Sequence, residues 1–204
     1  CEYTNSFLSF FPKISIILNM DADHLDFFKD IDDIRHSFRK FAELLPADGA
    51  LIINADTPKY EMVAENLPCK VITYGLEHDA EYTASDITYD EFGHPTFHVL
   101  HNGEDIGTCS LKVPGIHNVS NALASIAAGR LLGLDNEVIF AGLKDFGGTD
   151  RRFQYKGKVG EVTIIDDYAH HPTEIEATLH AAHNYPHKKI WCVFQPHTYT
   201  RTQA

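Results

Sequence analysis

The chain has few of the features that mark metal-rich, secreted or membrane-spanning proteins. Its 204 residues include four cysteines, Cys1, Cys69, Cys109 and Cys192. They are scattered singly with no Cys-x-x-Cys pair, which argues against a structural zinc site or a disulfide framework and fits a reducing compartment. The longest apolar runs, such as 14–18 and 190–194, have strand length and are too short to span a bilayer. We therefore predict no membrane segment.

Positive charge and phosphate-binding loops are scarce too. The chain has 17 Lys and Arg against 29 Asp and Glu, for a net charge of −12, which argues against nucleic acid and anionic lipid as partners. The glycine-rich patterns GxGxxG and GxxxxGK[ST] are absent, so any triphosphate cradle would lie outside this sequence. Because the chain opens with neither a methionine nor a signal-peptide pattern, we expect it to be a piece of a longer protein.

The first part of the chain alternates buried-strand and amphipathic-helix patterns. Apolar, β-branched runs predict strands at 13–20, 49–56 and 70–75. Between them, 32–45 is predicted to be a helix with Asp32 or Asp33 as N-cap and Ile34, Phe38, Phe41 and Leu45 on one face. A short helix is predicted after Pro58. The β-α-β-α-β order predicts an α/β fold with a mostly parallel, doubly wound sheet.

The sequence pattern changes twice in the second part of the chain. Short alternating segments between 82 and 113 predict an antiparallel meander, and helical patterns return at 118–133 and 135–146. The Gly-rich, charged stretch that follows predicts a domain break near 157–160, and a fresh β-α-β unit then runs to about residue 194. We therefore predict two domains, 1–158 and 159–204.

Clusters of polar side chains follow several predicted strands, where open α/β sheets bind ligands. His24 lies among Asp21, Asp23 and Asp26 after the first strand, a set that suits Mg²⁺ but is also typical of a solvated acidic turn. His117, Asn118 and Asn121 bracket a helix start, whose free amide groups suit a base or phosphate as well as a simple cap.

Three further groups lie around the predicted domain break. Adjacent Arg151 and Arg152 follow a glycine pair and suit a γ-phosphate clamp, although any exposed loop can carry two arginines. The corner IIDDYAHHPTEIEATL holds Asp166, Tyr168 and His170 between a strand and a helix. The stretch FQPHTYTR presents His197, Thr198, Tyr199 and Arg201 after another predicted strand. Two polar strand ends in succession favour a site over a solvated surface.

Five motifs in this order resemble the Mur ligases: NMDADHLD, GIHNVSNALA, FGGTDRRFQ, DDYAHHPTEIEATL and FQPHTYTRT. The resemblance covers nearly the whole chain. It implies a cytoplasmic, three-domain ATP-dependent ligase of peptidoglycan synthesis, with this chain being the central ATP-binding domain after its phosphate loop and the start of a Rossmann-like C-terminal domain. The DDYAHHPTE and FQPHxYTR motifs imply that the substrates are UDP-N-acetylmuramate and L-alanine, joined through an acyl phosphate.

The resemblance also implies residue roles. His24 would bind the second of two Mg²⁺ ions, and the first would be bound by Glu2 or by a carboxylate just upstream of Cys1. His117, Asn118 and Asn121 would contact adenine, Asp166 would lie near the ribose, and Arg151 or Arg152 would reach the γ-phosphate. The alanine and the acyl group would be received by Tyr168, His170, His197 and Arg201. Of these residues, His170, Arg152 and Arg201 are predicted to act in catalysis. Thr198 departs from the family, where many members carry an arginine.

Two other functions remain open at this stage. One is a sister ligase that adds a different amino acid, against which the DDYAHHP and FQPH motifs argue. The other is a non-catalytic piece that at most binds adenine nucleotide weakly, which is the behaviour we expect of the isolated chain.

Overall fold

The computed structural model describes residues 3–25 and 27–196. Eight strands, five α-helices and one 3-10 helix form in these ranges. The strands are β1 Ile14–Ile17, β2 Ala50–Asn54, β3 Lys70–Tyr74, β4 Tyr82–Tyr89, β5 Pro95–His101, β6 Glu104–Ser110, β7 Gln154–Val159 and β8 Val162–Asp166. The helices are the 3-10 helix Tyr3–Ser9 and α1 Ile31–Ala42, α2 Glu61–Ala64, α3 Ile116–Leu131, α4 Asn136–Asp145 and α5 Pro172–His183.

Six strands form one sheet in the order β1-β2-β3-β4-β5-β6. The pairs β1–β2, β2–β3 and β3–β4 are parallel. Strand β2 is the most buried of these, with Leu51, Ile52 and Ile53 all at 0% exposure, as expected of a strand covered on both faces. Each such side chain contributes about 1.5–3 kcal/mol on burial. The predicted α/β class with a mostly parallel sheet is therefore confirmed.

The predicted meander is confirmed as strands β4, β5 and β6. Strands β5 and β6 are neighbours joined by two residues, Asn102 and Gly103, with φ of 52° and 81°. Two successive positive φ angles are typical of the tight turns whose twist suits an antiparallel hairpin.

The N-cap of helix α1 lies two or three residues before the predicted one. Asp30, in extended backbone, is the N-cap, and its side chain accepts a hydrogen bond from the Asp33 N–H. Asp32 and Asp33 instead lie in the first turn, where their negative charge is favourable. The predicted apolar face is buried as expected at Ile34 and Leu45, which are 4% and 2% exposed.

The chain after residue 150 differs most from the prediction. Residues 154–159, expected to be a linker, form β7, which pairs antiparallel with β8. The strand predicted over 190–194 is wrong, because the described residues there have no strand assignment and Trp191 and Val193 are 79% and 98% exposed. A strand needs a neighbour for its backbone groups, and no described strand pairs with this segment.

Contacts divide the chain into two compact units. The first comprises Cys1–Ser85, Val99–Gly107 and Ser120–Ile139, and the second comprises Asp86–His98, Thr108–Val119 and Phe140–Ala204. Within the first unit, the core contains Ile17, Leu51, Ile53 and Val63. The domain boundary expected at residues 158/159 stays a prediction. No helix in the described part of the chain is long and apolar enough to cross a membrane.

Candidate functional site

The Asp167 carboxylate connects the strand-to-helix corner after β8 to the turn at residues 150–154, the arginine turn. Asp167 Oδ2 accepts a hydrogen bond from the Phe153 N–H at 2.8 Å, and Oδ1 accepts one from the Ala169 N–H at 2.7 Å. The Tyr168 N–H also donates to the Arg151 carbonyl at 2.8 Å. Bonds from an N–H to an ionised carboxylate are among the stronger hydrogen bonds in proteins. The two segments with most of the candidate residues are therefore held together.

The arginine turn has an unusual backbone. Arg151 and Phe153 have φ of 59° and 46°, a region that costs non-glycine residues of order 1–3 kcal/mol each. Local hydrogen bonds hold the turn: the Arg151 N–H donates to Gln154 Oε1 at 3.0 Å, and Gln154 Nε2 donates to Asp150 Oδ1 at 2.7 Å. Arg152 lies between the two left-handed residues, and its side chain is 54% exposed.

Glu174, in the first turn of α5, contacts two of the predicted site residues. Its Oε1 lies 3.5 Å from a terminal nitrogen of Arg152, and its Oε2 accepts a hydrogen bond from the His170 N–H at 3.3 Å. Burial alone would raise the pKa of Glu174, but the backbone donors of His170 and His171 and the Arg152 and His170 charges together hold that pKa below its usual value. Glu174 is therefore ionised at neutral pH.

The His170 ring is held in one tautomer. Its Nδ1 lies 3.0 Å from the Tyr168 carbonyl oxygen and 3.7 Å from Glu174 Oε2. Both oxygens can only accept, so Nδ1 carries a hydrogen, and in the uncharged form of the ring the lone pair lies on Nε2. The Tyr168 ring meets the His170 ring at 5.3 Å in an edge-on arrangement. His170 thus offers a hydrogen-bond acceptor of fixed orientation.

His117 belongs to the same unit and lies at the start of α3. Packing around the ring lowers the pKa of His117, the Asp167 charge opposes this shift, and the Arg152 charge adds to it. The ring is therefore neutral at pH 7, although the residue still reaches the surface. Gly115 allows the His117 ring to lie close to the backbone. Its φ is 100°, and a Cβ at this position would lie 2.6 Å from Cε1 of His117.

The two asparagines of the predicted adenine pocket have different surroundings. Asn118 Nδ2 donates to the Pro114 carbonyl at 2.8 Å, which ties the loop to the helix. Asn121 is exposed in the next turn of α3. Its backbone carbonyl, and not its side chain, accepts a hydrogen bond from Ser125 Oγ at 3.1 Å. The structure thus gives Asn118 a role in shaping the loop and leaves the Asn121 side chain accessible.

The predicted metal ligands are only partly within the described residues. His24 follows β1 with φ of 53°, and its Nε2 lies 3.7 Å from Asp23 Oδ2. Over 3–25 and 27–196, no group of three or more His, Cys, Asp or Glu side chains is placed to hold a metal ion. Glu2 and Asp26 lie outside the described residues. The structure therefore supplies two adjacent groups of the right chemistry and leaves the Mg²⁺ site a prediction.

Of the remaining predicted residues, only Asp166 lies within the described part of the chain. Asp166 is the last residue of β8 and is paired with Gln154 across the small sheet. His197 and Arg201, predicted to receive the alanine and acyl group, lie outside the described residues, as does Thr198. Their roles stay predictions.

Two residues of the site were not predicted from the sequence. The sequence predicts a role for Asp166 and not for Asp167, and it predicts none for Glu174. A local signal existed for Glu174, because an acidic residue two positions after a helix-starting proline commonly reaches back to the N-cap region. The signal for Asp167 was absent, because its partner Phe153 is 14 residues away in the chain.

One cavity in the first unit is separate from these candidates. It has a volume of about 700 Å³ and is lined by residues such as Glu81, Tyr82, His101, Arg130 and Asn136. The Arg130 guanidinium donates to Asn136 Oδ1 at 2.6 Å and to the Tyr82 hydroxyl at 3.3 Å. None of the predicted site residues in the described part of the chain lines it.

Comparison with known proteins identifies the class to which this fold and site belong. The family described as Mur ligase middle domain matches residues 4–129, and the family described as Mur ligase, glutamate ligase domain matches residues 151–204. The chain therefore belongs to the Mur ligase family, as its motifs suggested.

Two relatives in the family carry the same name. The chain is 60% identical over 204 residues to the UDP-N-acetylmuramate--L-alanine ligase of Lachnospira eligens and 53% identical to that of Caldanaerobacter subterraneus. In both comparisons it is covered completely but spans 44% of the relative's length.

Solved structures agree with this assignment. The UDP-N-acetylmuramate-alanine ligase of Thermotoga maritima superposes with a TM-score of 0.74 at 31% identity, covering 88% of this chain and 40% of that one. The MurF ligase of Thermotoga maritima in complex with ADP has a TM-score of 0.72 at 21% identity, covering 86% of this chain and 40% of that one. The second likeness concerns the fold alone.

Proposed function

We propose that the chain is part of an ATP-dependent ligase that joins L-alanine to UDP-N-acetylmuramate in peptidoglycan synthesis. The observation that carries this proposal is the corner where Asp167 and Glu174 hold Arg152 and His170 together. The names of relatives 52–60% identical over nearly the whole chain supply the substrates. We also propose a cytoplasmic location, which the family resemblance implies.

The chemistry that we propose passes the sugar's carboxylate through an acyl phosphate. A carboxylate oxygen attacks the γ-phosphorus of ATP and ADP leaves. The neutral amine of alanine then attacks the acyl carbon, an amide C–N bond replaces the C–O bond to phosphate, and the proton lost by the nitrogen leaves with the phosphate. Phosphoryl transfer of this kind depends on positioning and charge neutralisation more than on covalent help from the protein.

The residues of this chain suit those demands. Arg152 would face the γ-phosphate with its planar donors, and neutral His117 with Asn118 and Asn121 would contact the base. His170, with its Nε2 lone pair free, suits a hydrogen bond from the ammonium group of alanine, and Tyr168 would line the same pocket. Arg151, Asp166, His197 and Arg201 keep the nucleotide and substrate roles that the family resemblance implies.

We also propose that two Mg²⁺ ions are bound, one by His24 and the other by Glu2 or a neighbouring carboxylate. The neighbouring Asp23 carboxylate supports a cation near His24, because oxygen and imidazole donors suit this ion. When bound, the ion would neutralise phosphate charge.

The experiment that tests the proposal is phosphate release by the full-length protein with ATP, Mg²⁺ and UDP-N-acetylmuramate, comparing L-alanine with D-glutamate. Release that depends on L-alanine supports the assignment. Release that depends on D-glutamate would indicate a sister ligase, and release that needs no amino acid would overturn the ligase proposal. The 204-residue chain alone serves as a control and is expected to be inactive, because it contains no phosphate loop.

A further inference from the structure

Glu174 connects two residues that the proposed reaction assigns to different substrates. Its Oε1 lies 3.5 Å from Arg152, which we assign to the γ-phosphate of ATP. Its Oε2 lies 3.3 Å from the backbone nitrogen of His170 and 3.7 Å from that residue's Nδ1. A single carboxylate in the first turn of α5 thus contacts both the residue that we assign to the phosphate and the residue that we assign to alanine.

The energetics of these contacts favour a role in positioning over a role in stability. The Arg152 and Glu174 side chains are 54% and 36% exposed, and ion pairs this exposed contribute about 0–1 kcal/mol to folding. The guanidinium has five N–H donors, and the contact with Glu174 involves one terminal nitrogen. The other donors make no hydrogen bond to the residues that the structure describes, so they can meet a phosphate while the pair persists.

We propose that Glu174 is a positioning residue, which holds Arg152 and His170 at the separation that the phosphoryl-transfer and amide-forming steps require. This inference rests on the proposed function and adds to it a residue that touches no substrate itself. Its ionised carboxylate restrains a flexible arginine before ATP arrives, so less side-chain freedom is lost when the phosphate binds. The low pKa of Glu174 keeps this restraint in place across the neutral range.

The test is a set of variants of the full-length protein. Glu174→Gln keeps the size and the hydrogen-bond acceptor for the His170 N–H but removes the charge that attracts Arg152. We expect kcat to fall about 10- to 100-fold, the range that small misplacements of reacting groups cost, with an unfolding temperature matching that of wild type. Glu176→Gln, an exposed position on the same helix, is the matched control and should keep wild-type kcat.

A double-mutant cycle separates positioning from simple helix capping. If Glu174 acts through Arg152, then Glu174→Gln should change kcat less than threefold in an Arg152→Lys background. If Arg152→Lys is too slow to measure, the same cycle is followed in the Kd of a non-hydrolysable ATP analogue, where the effects should again be non-additive. Additive effects, or Glu174→Gln with wild-type kcat, would overturn the inference. Wild-type protein without amino-acid-dependent phosphate release would instead overturn the proposed function.

Discussion

Removal of the Asp167 carboxylate is expected to loosen the arginine turn from the corner. Asp167 accepts hydrogen bonds of 2.8 Å from Phe153 and 2.7 Å from Ala169. A hydrogen bond to a charged group contributes about 1.5–3 kcal/mol. Both bonds are only partly buried, so water can replace them in part and the lower end of that range applies. Asp167→Ala should therefore cost about 3 kcal/mol.

The isosteric variant gives a graded result. Asp167→Asn keeps one acceptor oxygen but turns an amide NH₂ toward an N–H donor, so about half of the loss is expected, roughly 1.5 kcal/mol. Amide hydrogen exchange at Phe153 and Ala169 is the most local readout, because these two amides make the hydrogen bonds in question. A change of 1.4 kcal/mol corresponds to about a tenfold change in the equilibrium constant for local opening. Exchange should accelerate about 10-fold in the Asn variant and about 100-fold in the Ala variant.

The neighbouring residue provides the control for this prediction. Asp166 is in the same sheet pairing but has no side-chain hydrogen bond or ion pair to the described residues. Asp166→Asn should leave the exchange of both amides unchanged. The reasoning would be refuted if the free energy of unfolding of Asp167→Ala lay within 0.5 kcal/mol of the wild-type value and both amides exchanged at the wild-type rate.

Three further predictions concern other parts of the fold. Gly115→Ala should cost more than the about 1–3 kcal/mol that a positive φ alone costs, and it should weaken nucleotide binding, because a Cβ would lie 2.6 Å from the His117 ring. Gly133→Ala, with nothing within 4 Å of the added Cβ, should cost only that backbone strain. Equal losses of unfolding free energy in calorimetry would contradict this. Burial raises the pKa of Asp56, but three backbone donors (Leu76, Glu77 and His78) and the His78 ring outweigh it and hold the pKa low. Asp56→Asn should therefore lower the free energy of unfolding by about 2 kcal/mol at pH 7. In urea titrations this difference from wild type should vanish as the pH falls through the lowered pKa of Asp56. A difference that grows in acid would contradict the prediction. Burial raises the pKa of Cys109 to about 11, so thiol labelling mapped by mass spectrometry should modify exposed Cys192 before Cys109, and rapid labelling of Cys109 in folded protein would refute its burial.

Local patterns in the sequence predicted most of the fold because the forces that set them are local. The β-branched run around Ile52 predicts a buried strand, and β2 is fully buried. The acidic cluster before α1 correctly predicts a capped helix start, but which aspartate caps depends on backbone angles that the sequence does not reveal. Asp30 is extended and therefore caps.

Features that depend on partners distant in the chain were not predictable in this way. The run 190–194 has strand composition, yet its backbone finds no strand partner among the described residues. Asp167 and Asp166 are identical in type, and only the position of the Phe153 N–H shows which one ties the corner. Strand β7 reads as a charged linker because it is exposed on a two-stranded sheet, where side-chain burial leaves little pattern.

The measurement that tests the central claim most directly follows an oxygen atom. The full-length protein would be given ATP, Mg²⁺, L-alanine and UDP-N-acetylmuramate whose carboxylate is labelled with ¹⁸O. Passage through an acyl phosphate predicts that each phosphate released carries one oxygen from that carboxylate, while the product gains alanine in an amide bond. Unlabelled phosphate would show that water, and not the sugar's carboxylate, receives the phosphoryl group, and it would contradict the account.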